Sequence, residues 1–244
     1  MAAPAQDVLV SSLDEFARGV REGIFMDRAR VRVVITSPLE SEFVERIAAV
    51  DSRLDVVYPS ELIPVMRYPA DHAAPNPRDP EELAAWRSLL DTAEVLFDFG
   101  PRPMMAELAA LPKLRWIQAT SAGVGDFAVR IGLGDSQIIV TTASGVHARP
   151  LAEFTLMAML MFGKGAFGML ADQKVHRWQR YAGEELAGKV VGVVGVGRIG
   201  REVARLARCL DAHVVGTVRS VETHTAEELN LDRLVPMAEL DSLL

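Results

Sequence analysis

Three glycines with the spacing G-x-G-x-x-G are the residues of this sequence that most directly suggest chemistry. They follow an apolar run, "KVVGVVG", and lead into a pattern typical of an amphipathic helix. Such a turn brings the free N–H groups of a helix N-terminus close to a phosphate, and the helix dipole favours the negative charge. The spacing therefore predicts a dinucleotide pyrophosphate site. Its candidate residues are Gly195, Val196, Gly197, Arg198, Ile199 and Gly200.

The residues about 20 positions further on indicate which dinucleotide would bind. An NAD site of this type has an acidic residue there, which accepts a hydrogen bond from the ribose 2′-hydroxyl. The matching position is Val218, followed by Arg219 and Ser220. A cation and a hydroxyl suit a 2′-phosphate, so we predict that NADP is the cofactor, with NADPH preferred and NAD as the alternative. On the other interpretation, Arg219 is a solvated charge at a strand end.

Alternating strands and helices must position this turn. The patterns predict an α/β fold with parallel sheets and helices on both faces. We expect a first domain over residues 1–148, with an N-terminal extension to about residue 29, and a second, dinucleotide-binding domain over 149–244. In the first domain the predicted strands are "VRVVITSP", "LDVVYP", "EVLFDFG", "LRWIQAT" and "QIIVTT", and the predicted helices are "SEFVERIAAV", "PEELAAWRSLLDTA" and "MMAELAAL". In the second, "KVVGVVG" is predicted to be a strand buried on both faces, and "AHVVGTV" the next strand.

The most apolar segment, "LAEFTLMAMLMF" at 151–162, precedes the second domain's glycine turn. It is shorter than the roughly 20 residues that cross a membrane. We therefore predict a buried helix and no membrane association. The single cysteine, Cys209, stands among apolar neighbours and is interpreted as a small core residue.

Composition narrows the classes of partner. The chain has 244 residues, half of them apolar, and a formal net charge of -7, which disfavours binding to a polyanion such as nucleic acid. The start lacks the basic and apolar regions of a secretory signal, so a cytoplasmic location is expected. No histidines or cysteines have metal-ligand spacing, so we predict no metal site.

Four segments resemble the D-isomer-specific 2-hydroxyacid dehydrogenases, a family that includes glyoxylate and hydroxypyruvate reductases. They are "LPKLRWIQATSAGVGDF", "VHARPLAEFTLMAMLMF", "HRWQR" and "ELAGKVVGVVGVGRIGREVARLA". The resemblance implies a flavodoxin-like substrate domain, a Rossmann domain, and a site in the cleft between them. It also implies a homodimer that reduces a small 2-oxo acid to the D-2-hydroxy acid by hydride transfer from the nicotinamide.

The same resemblance assigns a substrate loop. Its backbone amides would hold the substrate carboxylate, and its residues are Ser121, Ala122, Gly123 and Val124. The aspartate usual after this motif is replaced by Gly125, with Asp126 following. His147 stands where asparagine is common, and it either contacts substrate or cofactor or is a capping or packing residue. Arg198 and Ile199 match positions that touch the pyrophosphate and the adenosine ribose.

The family's catalytic arginine, glutamate and histidine belong to motifs that would lie beyond Leu244, the last residue of this sequence. None of the five histidines stands in the matching motif, so no catalytic residue is assigned. We expect the 244 residues to be a fragment with an incomplete Rossmann domain and negligible turnover. Otherwise a second polypeptide or a dimer partner would complete the sheet.

Two alternatives belong to other functional classes. The same family includes corepressors that bind NAD(H) and act through partners without turnover. The stretch "ATSAG" also resembles the nucleophile elbow of serine hydrolases, with Ser121 as the nucleophile, and would require a histidine and an acid downstream.

Overall fold

The computed structural model describes residues 30–68, 71 and 79–243. The chain divides into two compact units, the first ending at Ala143 and the second beginning at Ser144. The predicted N-terminal extension lies outside the described residues, and so does His72, one of the five histidines.

Leu244, the residue beyond which the catalytic arginine, glutamate and histidine were expected, also lies outside the described residues. The structure therefore does not test that expectation, which stays a prediction from the sequence.

The first unit contains a five-stranded parallel sheet with the order β2-β1-β3-β4-β5. This is the flavodoxin-like order of a doubly wound sheet, in which the carboxyl ends of all strands meet at one edge. The strands are β1 Val31–Ile35, β2 Leu54–Val57, β3 Val95–Phe97, β4 Trp116–Gln118 and β5 Ile139–Thr141. The predicted α/β fold with parallel sheets is confirmed, and each predicted strand is present.

Local sequence explains the helices of this unit, which are α1 Ser41–Ala48, α2 Pro80–Leu90 and α3 Gly125–Arg130. Helix α2 begins with a capping box, in which the Asp79 carboxylate accepts a hydrogen bond from Glu82 N at 2.8 Å. The Glu82 carboxylate accepts one from Asp79 N at 3.2 Å. Both bonds satisfy donors that a helix start leaves without partners.

The segment "MMAELAAL", predicted as an α-helix, instead belongs to a run of 3-10 turns at Arg102–Ala110. Pro101 is the N-cap of this run and Pro103 lies in its first turn, where a proline costs no helical hydrogen bond, so the prolines do not explain the 3-10 geometry. The segment still packs on the sheet, because Met104 and Leu108 are buried in the core of the first unit.

Inward-facing residues of four strands form that core. Val34, Leu96, Ile117 and Val140 are buried, and the α2 residue Trp86 is fully buried with them. The core therefore holds the sheet rigidly behind the loops at its carboxyl edge.

The second unit has a three-stranded parallel sheet with the order β6-β7-β8. Its helices and strands are α4 Ala148–Gly163, α5 Ala166–Lys174, β6 Val190–Val194, α6 Arg198–Arg208, β7 His213–Val218 and β8 Arg233–Pro236, and 3-10 turns follow at Met237–Leu243. The predicted succession of strand, glycine turn, helix and strand is present as β6-α6-β7.

Two burial predictions for this unit are wrong. Strand β6 was expected to be buried on both faces, but among the described strands it pairs only with β7, and Val190 and Val194 are about two-thirds exposed. Helix α4 was expected to be a core helix. It packs on α6 along one side, with Ala152 its single buried residue, and Phe154 and Phe162 are exposed.

A third prediction, that Cys209 is a core residue, is also wrong. This cysteine is the C-cap of α6 and is exposed. The small residues Ala204 and Ala207 occupy the buried side of the helix instead. The apolar pattern thus predicted the helix but did not predict which of its sides packs against the rest of the unit.

No single helix in the described ranges has the length and apolar character needed to cross a membrane. Helices α4 and α5 together have the length and apolar composition of a membrane-crossing segment, but a bend of 66° separates them.

Candidate functional site

The glycine turn lies between β6 and α6, at the carboxyl edge of the second sheet. Gly195 has a φ of 86°, a left-handed conformation that glycine adopts without strain. Gly197 is the N-cap of α6. Within the described part of the chain, no group accepts a hydrogen bond from the N–H of Arg198 or Ile199. The first donors of the helix are therefore available to an anion, as at other helix starts.

Close packing around the turn requires two glycines. A Cβ at position 200 would lie 2.7 Å from the Gly195 carbonyl oxygen. A Cβ at position 216 would lie 2.5 Å from Cγ2 of Val196. By contrast, a Cβ at Gly197 would meet no atom within 4 Å, so open space lies over the turn at that residue. This arrangement fits the G-x-G-x-x-G pattern, in which the second glycine lets a pyrophosphate approach the backbone and the third lets helix and strand pack closely.

The predicted cofactor-selecting residues lie at the end of β7, beside the turn. Strands β6 and β7 are parallel and pair Val194 with Thr217, which places Gly195 next to Val218. The Val218 side chain is buried, whereas Arg219 and Ser220 are exposed. Both polar residues therefore reach solvent on the same edge as the helix start.

The loop before α4 contacts the turn through Arg198. Gly145, with a φ of 93°, lies so close to this side chain that a Cβ there would be 2.7 Å from Arg198 Cδ. His147 belongs to the same loop and is the N-cap of α4, but its side chain makes no capping hydrogen bond and is exposed. The imidazole of His147 is therefore open to solvent, and its role stays a prediction from the sequence.

Charged groups join α4 to α6 behind the turn. The Glu202 carboxylate accepts a hydrogen bond from the Arg205 guanidinium at 2.7 Å and lies 3.6 Å from Arg149 on α4. The hydrogen bond from Arg205, with smaller contributions from the charges of Arg205 and Arg149, lowers the pKa of Glu202.

The predicted substrate loop lies in the first unit, between β4 and α3. Ser121, Ala122 and Gly123 are exposed, whereas Val124 is buried and anchors the loop. Among the described residues, nothing accepts a hydrogen bond from the N–H groups of residues 121–124. These amides are therefore available to donate hydrogen bonds to an anion.

Sequence reasoning missed three residues that shape these loops. Asp98, with a φ of 72°, accepts a hydrogen bond from Thr120 Oγ1 at 3.0 Å beside the substrate loop. Gly145 lies against Arg198, and Thr217 is fully buried below the glycine turn. Asp98 follows β3 and Thr120 follows shortly after β4, and these parallel strands are neighbours. Their position at the carboxyl ends of neighbouring strands is the signal that could have identified Asp98. No comparable signal marks Gly145 or Thr217.

The alternative chemistries find little support in the described residues. No hydrogen bond there joins Ser121 to a histidine, as a serine hydrolase would require. A search of the same residues gives no group of three or more histidine, cysteine or acidic side chains able to hold a metal ion.

Together, the β6-α6-β7 succession and its glycine turn define the second unit as a Rossmann-type dinucleotide-binding domain. Residues 156–243 match the family model described as "D-isomer specific 2-hydroxyacid dehydrogenase, NAD binding domain". The match confirms, over this part of the chain, the resemblance predicted from the sequence.

Curated relatives are dehydrogenases of the same kind. D-3-phosphoglycerate dehydrogenase of Mycobacterium bovis is 32% identical over 140 residues, which cover 56% of this chain and 25% of the relative. The (S)-sulfolactate dehydrogenase of Chromohalobacter salexigens is 30% identical over 135 residues, covering 54% of this chain and 43% of the relative. The chain thus spans less than half of the length of either relative.

Solved structures show the same fold. A D-isomer specific 2-hydroxyacid dehydrogenase family protein from Aeromonas salmonicida is similar with a TM-score of 0.66 and 20% identity, over 88% of this chain and 61% of the other. An NADPH-dependent glyoxylate/hydroxypyruvate reductase from Sinorhizobium meliloti, in complex with NADP and sulfate, is similar with a TM-score of 0.61 and 18% identity. The similarity covers 88% of this chain and 59% of the reductase.

Proposed function

We propose that this chain binds NADPH on its second unit and a small 2-oxo acid on its first, as part of an oxidoreductase that forms D-2-hydroxy acids. The observation that carries the proposal is the glycine turn, with free N–H groups at Arg198 and Ile199 and open space over Gly197. Two phosphates are common to NAD and NADP, so this part of the site accepts either dinucleotide.

The preference for NADPH depends on the end of β7. The buried Val218 side chain cannot accept a hydrogen bond from a ribose 2′-hydroxyl, whereas Arg219 and Ser220 provide donors for a 2′-phosphate. Val218 would not repel the ribose of NADH, but NADH has no 2′-phosphate to which Arg219 could donate hydrogen bonds. We therefore propose selection for NADPH through Arg219 rather than exclusion of NADH.

On the first unit, the amides of Ser121, Ala122, Gly123 and Val124 would hold the substrate carboxylate. Their free N–H groups support this role, because an anion is bound best where several fixed donors converge. His147, which is exposed at the start of α4, would contact a bound substrate or cofactor. We propose domains at 1–148 for substrate and 149–244 for cofactor.

No residue up to Leu244 is assigned as the acid that protonates the carbonyl oxygen during hydride transfer, nor as the arginine or glutamate that would assist it. Such an acid contributes about 10²- to 10⁴-fold to a rate. We therefore expect the 244 residues to bind cofactor with negligible turnover.

Titration of the chain with NADPH and with NADH, followed by nucleotide fluorescence, tests this proposal. Saturable binding that is tighter for NADPH is expected, and the failure of both nucleotides to bind would overturn it. Reduction of glyoxylate and hydroxypyruvate is assayed in parallel. Measurable turnover would show that a residue in this chain serves as the acid, contrary to the expectation above.

A homodimer is also proposed, supported by a large apolar surface on residues 151–181. Its exposed side chains are Leu151, Phe154, Met157, Phe162, Phe167, Met169, Leu170, Val175, Trp178 and Tyr181. Apolar surface of this kind is typical of protein interfaces. A cytoplasmic location stays a prediction from the sequence.

A further inference from the structure

Thr217 is a fully buried polar residue on β7, directly below the glycine turn. Its hydroxyl oxygen accepts a hydrogen bond from Gly195 N at 3.3 Å. Its carbonyl oxygen accepts a second from Val196 N at 2.9 Å. One residue thus holds two consecutive amides of the turn.

The hydroxyl proton of Thr217 has its own partner. Thr217 Oγ1 donates to the sulfur of Met237, 3.8 Å away in the segment that follows β8. This contact directs the proton away from the turn and leaves a lone pair facing Gly195 N. The surroundings are apolar, with Val214 and Leu231 buried in the same core, so an unmade hydrogen bond would not be replaced by water.

We propose that Thr217 is a positioning residue for dinucleotide binding. Its two hydrogen bonds fix the turn against the end of β7, and thereby fix the donors of Arg198 and Ile199 relative to Arg219. The inference rests on the proposed function, since it assumes that the turn holds the pyrophosphate. A valine would fill the same volume in the core, so a residue needed only for packing would not require the hydroxyl.

The role of Thr217 differs from that of Arg219 in a measurable way. The pyrophosphate is common to NADPH and NADH, so loss of the Thr217 hydroxyl weakens binding of both by a similar factor. The 2′-phosphate is present only in NADPH, so loss of Arg219 affects that cofactor alone.

Titration of three variants with NADPH and NADH tests the inference. Thr217→Val is expected to raise both dissociation constants about fivefold, the effect of one lost hydrogen bond. Thr217→Ser keeps the hydroxyl and is expected to restore binding. Thr155→Val is the matched control, because its hydroxyl donates only to Leu151 O within α4. Unchanged affinity of Thr217→Val, or an equal loss in Thr217→Ser, overturns the inference.

Amide hydrogen exchange of the nucleotide-free chain supplies a second, independent readout. A peptide covering 193–198 is expected to exchange faster in Thr217→Val than in the wild type and Thr217→Ser. If the wild type binds neither nucleotide, the proposed function fails, while this measurement still decides whether Thr217 holds the turn. Equal exchange in all three proteins overturns the inference even if the nucleotides bind.

Discussion

At the scale of single residues, the proposed site assigns binding and selection of the cofactor to two neighbouring parts of one sheet edge. The turn at 195–200 has donors for the phosphates shared by both cofactors, and the end of β7 has Arg219 and Ser220. Because Arg219 is exposed and Val218 is buried, one side chain can alter selectivity without disturbing the core.

Arg219→Ala is expected to weaken NADPH binding about 10- to 100-fold, the effect of losing one or two hydrogen bonds to a charged phosphate. NADH affinity is expected to change by less than about twofold, since its ribose has no phosphate. Calorimetric titration with the two nucleotides checks this. Parallel losses for both cofactors would show that Arg219 supports the fold of the loop instead.

At the scale of elements, the contact between α6 and the turn determines where the helix donors point. Gly200 permits that contact because its missing Cβ leaves room for the Gly195 carbonyl, whereas Gly197 faces open space. Packing thus requires glycine at position 200, whereas at position 197 the proposed role of glycine is to leave room for a bound phosphate.

Gly200→Ala is expected to lower the free energy of unfolding by about 1–3 kcal/mol, because α6 must move away from β6 to accommodate the methyl group. The affinity for NADPH is expected to fall as well, because the displaced α6 moves the N–H donors at its start. Gly197→Ala is the matched control, expected to leave stability unchanged while filling the space above the turn and weakening binding. Urea denaturation and nucleotide titration of both variants separate the effects. Equal stability losses would contradict the assignment.

The link between α4 and α6 has a pH dependence set by Glu202. Its pKa is lowered in the folded chain by Arg205 and Arg149, so its ionised form stabilises the fold above the unfolded pKa of about 4.3. That contribution is lost as the pH falls through the lower, folded value.

Glu202→Gln is therefore expected to be less stable than the wild type above about pH 5, with the difference shrinking below about pH 4. The effect is small, because the participating side chains are partly exposed. Urea midpoints measured from about pH 3 to about pH 7 check this. A difference that stays constant throughout would show that Glu202 acts through its shape and not its charge.

At the scale of the whole molecule, the proposed homodimer would bury apolar side chains that are exposed on residues 151–181. Trp178 is 92% exposed and Phe154 is 64% exposed, although both are large apolar side chains. Aromatic residues of this size contribute strongly to the affinity of protein interfaces.

Substitution of Phe154 and Trp178 by serine is expected to weaken a dimer at least about tenfold, which corresponds to the loss of aromatic anchor residues. Analytical ultracentrifugation over a range of concentrations measures this. Val65→Ser is the control, since Val65 is also highly exposed but belongs to the first unit. A wild-type chain that is monomeric at all concentrations would refute the homodimer proposal.

The sequence by itself determined the order of strands and helices, the glycine turn and the resemblance of residues 156–243 to an NAD-binding domain. These features depend on local patterns, namely apolar periodicity, capping residues such as Asp79, and the spacing of three glycines. Each can be detected within about 20 residues, which is why all the predicted strands are present.

Only the tertiary structure decided which sides of these elements are covered. Helix α4 and strand β6 have the apolar composition of core elements, yet Phe162 and Val190 are exposed. The approach of Gly145 to Arg198 and the hydrogen bonds of Thr217 to the turn likewise join residues that are distant in the sequence. Burial and such contacts depend on which surfaces meet in space, and no local pattern contains that information.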